Sequence, residues 1–193
     1  NALKQKEFIH KFNSARRLSL FTHIPAGIGL FLVSTLIVRL FFEGGRFNSN
    51  NTLLTVEILL PYAIGLPLFG FMGITHKACY ALGKYWTLAK VVVFTTVTNF
   101  VLNLILIVPF GASGLAMSTV FSTFTQLVCL HFILYKEIGS FLNYSLMKCG
   151  FKTLLASVPM IFIIIITSNF LENSKDVINL CVNVLIGVIA FGL

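Results

Sequence analysis

Long uninterrupted apolar runs are the feature that most constrains the fold of this chain. Residues 161–166 read Ile-Phe-Ile-Ile-Ile-Ile, and six stretches have the length of about 17–25 residues that a transmembrane helix needs. Transmembrane β-strands would instead show alternating segments of roughly ten residues. With 57% hydrophobic residues, 10% charged residues and a mean hydropathy of +0.93, a water-soluble domain is excluded. The sequence therefore predicts an all-α integral membrane protein.

We predict about six transmembrane helices within one bundle, residues 18–193. The spans cover residues 18–38, 53–75, 88–108, 113–135, 153–171 and 177–193. Residues 1–17 form a basic segment with Phe8, Ile9 and Phe12 on one side, which we expect to lie along the cytoplasmic interface with its cations toward lipid headgroups. The chain begins with Asn1 and ends within an apolar stretch, so we expect it to be part of a longer protein.

The basic residues alternate between the connections of the predicted spans. Eleven of the 14 lysines and arginines fall before the first span or in every second connection: Lys4, Lys6, Lys11, Arg16, Arg17, Lys77, Lys84, Lys90, Lys136, Lys148 and Lys152. The positive-inside rule then places the side of residue 1 in the cytoplasm. The net charge of +8 is explained by this bias and by attraction to anionic lipids, so no nucleic-acid partner is expected.

Two amides stand out in the third span. Asn99 and Asn103 are four residues apart and lie on one helix face. A buried amide without a partner costs on the order of a few kcal/mol, so this face should point to other helices, a cavity or a ligand. The run from Pro109 to Gly114 that follows is only long enough for an antiparallel return to the next span.

A charge cluster occupies the connection between the first two spans. It consists of Arg39, Glu43, Arg46 and Glu57. Glu43 can neutralise either arginine, and Glu57 can bind a cation or, as we favour, pair with one of the arginines. The polar residues 49–51 are candidates to cap the second helix.

The sequence contains no pattern typical of an enzyme site. Four cysteines, Cys79, Cys129, Cys149 and Cys181, lack the spacing of a metal or redox site and are expected to be reduced thiols. No Ser/His/Asp, Cys/His, zinc or phosphate-loop arrangement is present. We therefore expect a protein that is not an enzyme.

Five sequence blocks, in this order, resemble the MurJ (MviN) family of lipid II flippases. They are Arg39-Leu-Phe-Phe-Glu-Gly-Gly-Arg-Phe47, Tyr62-Ala-Ile-Gly-Leu-Pro67, Tyr80-Ala-Leu-Gly83, Asn99-Phe-Val-Leu-Asn103 and Gly111-Ala-Ser-Gly-Leu-Ala-Met-Ser-Thr119. That family belongs to the MOP superfamily, with the MATE-type drug antiporters and the polysaccharide exporters. The Asn-x-x-x-Asn block is shared across the superfamily, whereas the Phe-Glu-Gly-Gly-Arg-Phe loop is more specific to the flippases.

The resemblance implies a MATE-like fold of fourteen helices, of which this chain would supply the ninth to the fourteenth, the C-terminal lobe. It implies that lipid II, the lipid-linked peptidoglycan precursor, crosses the bacterial inner membrane between two lobes by alternating access. The implied partners are lipid II, membrane lipids and the N-terminal lobe of the same protein, whose arginines hold the pyrophosphate. The last two spans would border the polyprenyl tail.

The resemblance also implies a sodium ion as the one cofactor. Its ligands would be Asn99, Asn103, the Leu115 carbonyl and Thr119, all of which offer oxygen to a hard cation. Asn103 departs from the family pattern, because the best-defined sites have an aspartate there, and the loss of this charge weakens cation attraction. Hydrogen bonding of the two amides across helices, as packing contacts, is the open alternative.

Two other functions remain open at this point. One is a different exporter of the superfamily, which would move a lipid-linked polysaccharide or exchange a drug for a cation. The other is a membrane scaffold that transports nothing. The prolines and glycines of the second span argue for a helix that bends, and so against a passive scaffold.

Overall fold

The computed structural model of the chain describes residues 2–138, 144–170 and 187. Its helices are α1 (Ala2–Phe42), α2 (Ser49–Ala81), α3 (Tyr85–Ile138) and α4 (Tyr144–Phe170). All four are long and apolar enough to cross a membrane. Helices are what such runs form, because hydrocarbon offers no water to the backbone and a helix bonds its own N–H and C=O groups. The predicted all-α class is confirmed for the described residues.

The helix α3 is folded back on itself at Gly111. The backbone there has φ 56° and ψ −136°, which is not helical. In a straight helix, residues 99 and 122 would be about 35 Å apart at 1.5 Å per residue, yet Asn99 Nδ2 lies 3.2 Å from Ser122 Oγ. The helix therefore consists of two antiparallel arms, residues 85–110 and 112–138, as the third and fourth predicted spans required.

Small residues let α1 and α2 approach closely in antiparallel directions. A Cβ placed on Gly27 would lie 2.6 Å from the Ala63 carbonyl oxygen, and one on Gly70 would lie 2.5 Å from Ser19 Oγ and 2.7 Å from His23 Nδ1. Contacts of small residues are the usual means of packing helices in membranes, where the hydrophobic effect does not drive helices together. Gly70 of the second span thus has a packing role against α1.

The helix α4 runs parallel to α1. Near one end of the pair, Cys149 Sγ lies 3.9 Å from the Arg17 carbonyl oxygen. Further along, Met160 and Ile164 pack with Val33 in one apolar cluster. Parallel first and fifth spans agree with the predicted alternation of directions along the chain.

The predicted basic segment 1–17 is not separate from the first span, because α1 continues through it without a break. Phe12 is buried in the main apolar cluster, which also contains Met72, Ala78, Cys79, Leu88, Val91, Leu127, Leu130 and Leu134. Arg16 is fully buried as well, with its guanidinium 4.5 Å from the centroid of the Phe12 ring. The prediction that the cations of this segment face headgroups is therefore wrong for Arg16, because its helix face packs on α2 and α3.

The basic connections gather at one end of the bundle. Lys84, just before α3, forms a salt bridge of 2.5 Å with Glu137 at the far end of the same helix. The Gln5 side chain donates to the Glu137 carbonyl oxygen at 3.4 Å. The start of α1, the α2–α3 connection and the end of α3 therefore meet, as the charge alternation predicted. Which side of the membrane they face stays a prediction.

Two further expectations concern helix ends and helix number. The N-cap of α2 is Asn48, whose side chain accepts from Asn51 N at 3.1 Å, so the predicted capping by residues 49–51 is wrong. The sixth predicted span, residues 177–193, lies outside the described residues except for residue 187. The count of about six helices therefore stays a prediction.

The turn of α3 generates the first testable prediction. Gly111→Ala should cost about 1–3 kcal/mol, because a side chain strains a backbone of this φ and ψ. Gly114→Ala should cost more, since its Cβ would clash with the Leu106 carbonyl oxygen. Thermal unfolding of the intact protein measures both. Gly73→Ala is the control, because nothing lies within 4 Å of its Cβ and alanine favours a helix. Equal melting temperatures for Gly73→Ala and Gly111→Ala would contradict the strained turn.

Candidate functional site

The candidate site lies between the two arms of α3. Asn99 and Asn103 project from the first arm and are partly buried. Ser118 and Ser122, four residues apart on the second arm, are buried at 0% and 8% exposure. Because the arms are antiparallel about Gly111, each pair of polar side chains faces the other. The site is thus a polar layer within an otherwise apolar hairpin.

Three of these side chains close a ring of hydrogen bonds. Asn103 Nδ2 donates to Asn99 Oδ1 at 3.2 Å. Asn99 Nδ2 donates to Ser118 Oγ at 3.5 Å and to Ser122 Oγ at 3.2 Å. Ser118 Oγ in turn donates to Asn103 Oδ1. Each member of the ring therefore donates to the next member and accepts from the previous one.

The remaining predicted ligands lie at the edge of this ring. The Leu115 carbonyl oxygen accepts from Thr119 Oγ1 at 3.0 Å. It also lies 2.8 Å from Ser118 Oγ, as a second acceptor within reach of the single hydroxyl proton that Ser118 gives to Asn103. Ser122 Oγ donates to the Thr119 carbonyl oxygen at 3.0 Å. The structure therefore places the two amides against Ser118 and Ser122, whereas the Leu115 carbonyl and the Thr119 hydroxyl bond to each other within the second arm. Whether they hold a cation stays a prediction.

Sequence reasoning missed Ser118 and Ser122. Their signal was available, since two hydroxyl residues at a spacing of four on the second arm mirror the two amides at a spacing of four on the first. Serines are common in membrane helices, where their hydroxyls usually bond to a carbonyl one turn earlier, and so they were not distinguished from this background. Their pairing with the amides depends on how the second arm is rotated about its axis.

The charge cluster at the α1–α2 connection is built around Glu43. Its carboxylate lies 3.7 Å from Arg39 Nε and accepts from Ser49 Oγ at 3.1 Å and from Thr52 Oγ1 at 2.8 Å. It thereby ties the end of α1 to the start of α2, and it pairs with Arg39. Within the described part of the chain, Glu57 is exposed and forms no ion pair with an arginine. The pairing we favoured for Glu57 is not observed.

The cysteines and acidic residues suggest no second site. Cys79, Cys129 and Cys149 are free thiols, whereas Cys181 lies outside the described residues. Among residues 2–138 and 144–170, no group of three or more His, Cys, Asp or Glu side chains could hold a metal ion. The polar ring of α3 and the Glu43 cluster are therefore the features that a function has to explain.

Long apolar helices with a polar layer between them define a multi-pass membrane protein. A profile of the family described as lipid II flippase MurJ matches residues 2–186. The chain belongs to this family.

Individual relatives agree with this assignment. The chain is 28% identical to the lipid II flippase MurJ of Thermosipho africanus, over 97% of this chain and 37% of that protein. It is 31% identical to the probable lipid II flippase MurJ of Thermotoga maritima, over 96% of this chain and 36% of that protein. A solved structure titled lipid II flippase MurJ, inward closed conformation, superposes with a TM-score of 0.79 at 28% identity, covering 96% of this chain and 38% of that one. The chain thus spans little more than a third of the relatives it matches.

The Glu43 cluster generates the second prediction. Glu43→Ala should destabilise the protein by about 1–3 kcal/mol, because two hydroxyl groups lose a charged acceptor. The matched variant Glu57→Ala should change stability by less than about 0.5 kcal/mol, as is usual for an exposed site. Thermal unfolding of the two variants of the intact protein tests this. A larger loss for Glu57→Ala would show that the cluster is assigned to the wrong carboxylate.

Proposed function

We propose that this chain is the C-terminal, MATE-like lobe of a lipid II flippase, which moves the lipid-linked peptidoglycan precursor across the bacterial inner membrane. The observation that carries the proposal is the family match over residues 2–186, joined to a fold match at TM-score 0.79. The relatives described above are named lipid II flippases or probable lipid II flippases. The transported molecule changes sides without a change of covalent bonds, so we assign no catalytic residue.

Alternating access requires lobes that move as units, and the packing of this chain supports that. Close contact of α1 with α2 at Gly27 and Gly70 leaves little room for sliding. The hairpin of α3 is held by the polar ring at one level and by the Lys84–Glu137 salt bridge at its base. We propose that the helices move together against an N-terminal lobe, which would carry the groups that hold the pyrophosphate.

One face of α4 supports membrane lipids as partners. Phe151, Leu155, Phe162 and Ile166 are all more than half exposed and recur at helical spacing. A face of this composition is stable against acyl chains. We propose that it contacts lipid tails, and that with the sixth span it borders the polyprenyl tail of the substrate.

Complementation tests the proposed activity. The intact gene should restore growth to bacteria depleted of their own lipid II flippase, with lipid II appearing on the outer face of the inner membrane. Expression confirmed by immunoblotting of the membrane fraction is the control. Expression without rescue would contradict the proposal and favour another exporter of the superfamily.

Labelling tests the proposed orientation, with the side of residue 1 in the cytoplasm. In a protein whose native cysteines are replaced by serine, Asn50→Cys should react with an impermeant maleimide added to intact spheroplasts. Lys77→Cys should react only after permeabilisation. Both positions are exposed, so a lack of reaction is not caused by burial. Reversed labelling would place the basic end outside.

A further inference from the structure

The neutral ring in α3 differs from what a cation site needs. The family resemblance implies a sodium ion at Asn99, Asn103, the Leu115 carbonyl and Thr119. Hard cations require several oxygen ligands directed at one point, and a carboxylate adds attraction that is strong where water is scarce. None of these four ligands, three side chains and one backbone carbonyl, is charged.

The oxygens of the site are also already engaged. Asn99 Oδ1 accepts from Asn103, Asn103 Oδ1 accepts from Ser118, and the Leu115 carbonyl accepts from the Thr119 hydroxyl. A cation would have to displace these hydrogen bonds and turn amide N–H groups away from their acceptors. The residues present therefore do not fit a sodium ion in this arrangement.

We propose that the closed ring of Asn99, Asn103 and Ser118 replaces a cation as the link between the two arms of α3, and that the residue at position 103 decides which link is used. Asparagine at 103 supplies the N–H that closes the ring onto Asn99 Oδ1. An aspartate cannot donate there, so it would open the ring, leave Asn99 Oδ1 free and add a negative charge. The same two arms would then need a cation to hold them. The inference concerns the hairpin alone and does not depend on which molecule the protein moves.

The cyclic arrangement gives the ring its strength. Hydrogen bonds that run in one direction around a ring polarise one another, and a low dielectric strengthens each of them. Ser118 is the bridging member, because it lies on the second arm and is fully buried. Its removal would leave Asn103 Oδ1 without this donor and Asn99 Nδ2 with Ser122 alone as acceptor.

Thermal unfolding of the intact protein in detergent tests the proposal. Melting temperatures are compared in equal concentrations of sodium chloride, potassium chloride and N-methyl-D-glucamine chloride. We expect the wild-type protein to melt at the same temperature in all three salts. We expect Ser118→Ala to melt lower by at least about 2–4 °C, equally in each salt, because the lost hydrogen bonds do not involve an ion.

Ser157→Ala is the matched control for Ser118→Ala. Ser157 is also fully buried, and its hydroxyl donates to Thr153 of its own helix at 2.9 Å. A hydroxyl of this kind adds little to helix stability, so the control should melt close to the wild type. Equal effects of the two alanine substitutions would overturn the bridging role of Ser118.

Asn103→Asp is the converse test. We expect this variant to melt below the wild type in potassium and N-methyl-D-glucamine, and to regain stability selectively in sodium, since a bound ligand raises the melting temperature. A sodium-selective rise in the wild type would overturn the replacement of the cation by the ring. An Asn103→Asp variant that does not respond to sodium would overturn the role of position 103. If that variant does not fold, the melting temperatures of the wild type and of Ser118→Ala in the three salts decide between the ring and a cation.

Discussion

A polar group in the membrane-spanning part of this bundle has to find a partner within the protein, because a membrane interior has no water to supply one. The helices meet this demand for the backbone, and many hydroxyls meet it locally: Thr75 and Thr95, for example, donate to carbonyls one turn earlier. A side-chain amide has both donors and an acceptor and cannot satisfy all of them on its own helix. Asn99 and Asn103 therefore require a second helix, and this requirement determines how the arms of α3 meet.

The fold supplies that second helix through its shortest connection. Gly111 adopts a backbone conformation that reverses the chain within a single residue, so residues 112–138 return along the first arm. Because the chain reverses locally, Ser118 and Ser122 lie level with the amides and are only about 20 residues away from them in sequence. The α1–α2 pair uses a different device, since Gly27 lies against the Ala63 backbone and Gly70 lies against the Ser19 and His23 side chains.

The chain keeps the fold of the MurJ family although Asn103 stands where the family resemblance implies an aspartate. The fold match extends over 96% of the chain although the identity is only 28%, which indicates that the helix packing is preserved while much of the sequence has changed. In the arrangement that we propose, a neutral ring and a bound cation are alternative ways to join the same two arms. The lobe movement that we propose needs such a link, whichever chemistry provides it.

Hydropathy and charge determined much of the fold, because both are properties of short stretches of sequence. They identified the all-helical class, the reversal near Gly111 and the gathering of basic connections at one end. The amide pair was also predictable, since i and i+4 share a helix face wherever the helix packs. Tertiary structure alone decided that Arg16 is buried and that Ser118 closes the ring. These outcomes depend on how each helix is rotated about its axis against its neighbours, and hydropathy carries little of that information because nearly every face of these helices is apolar.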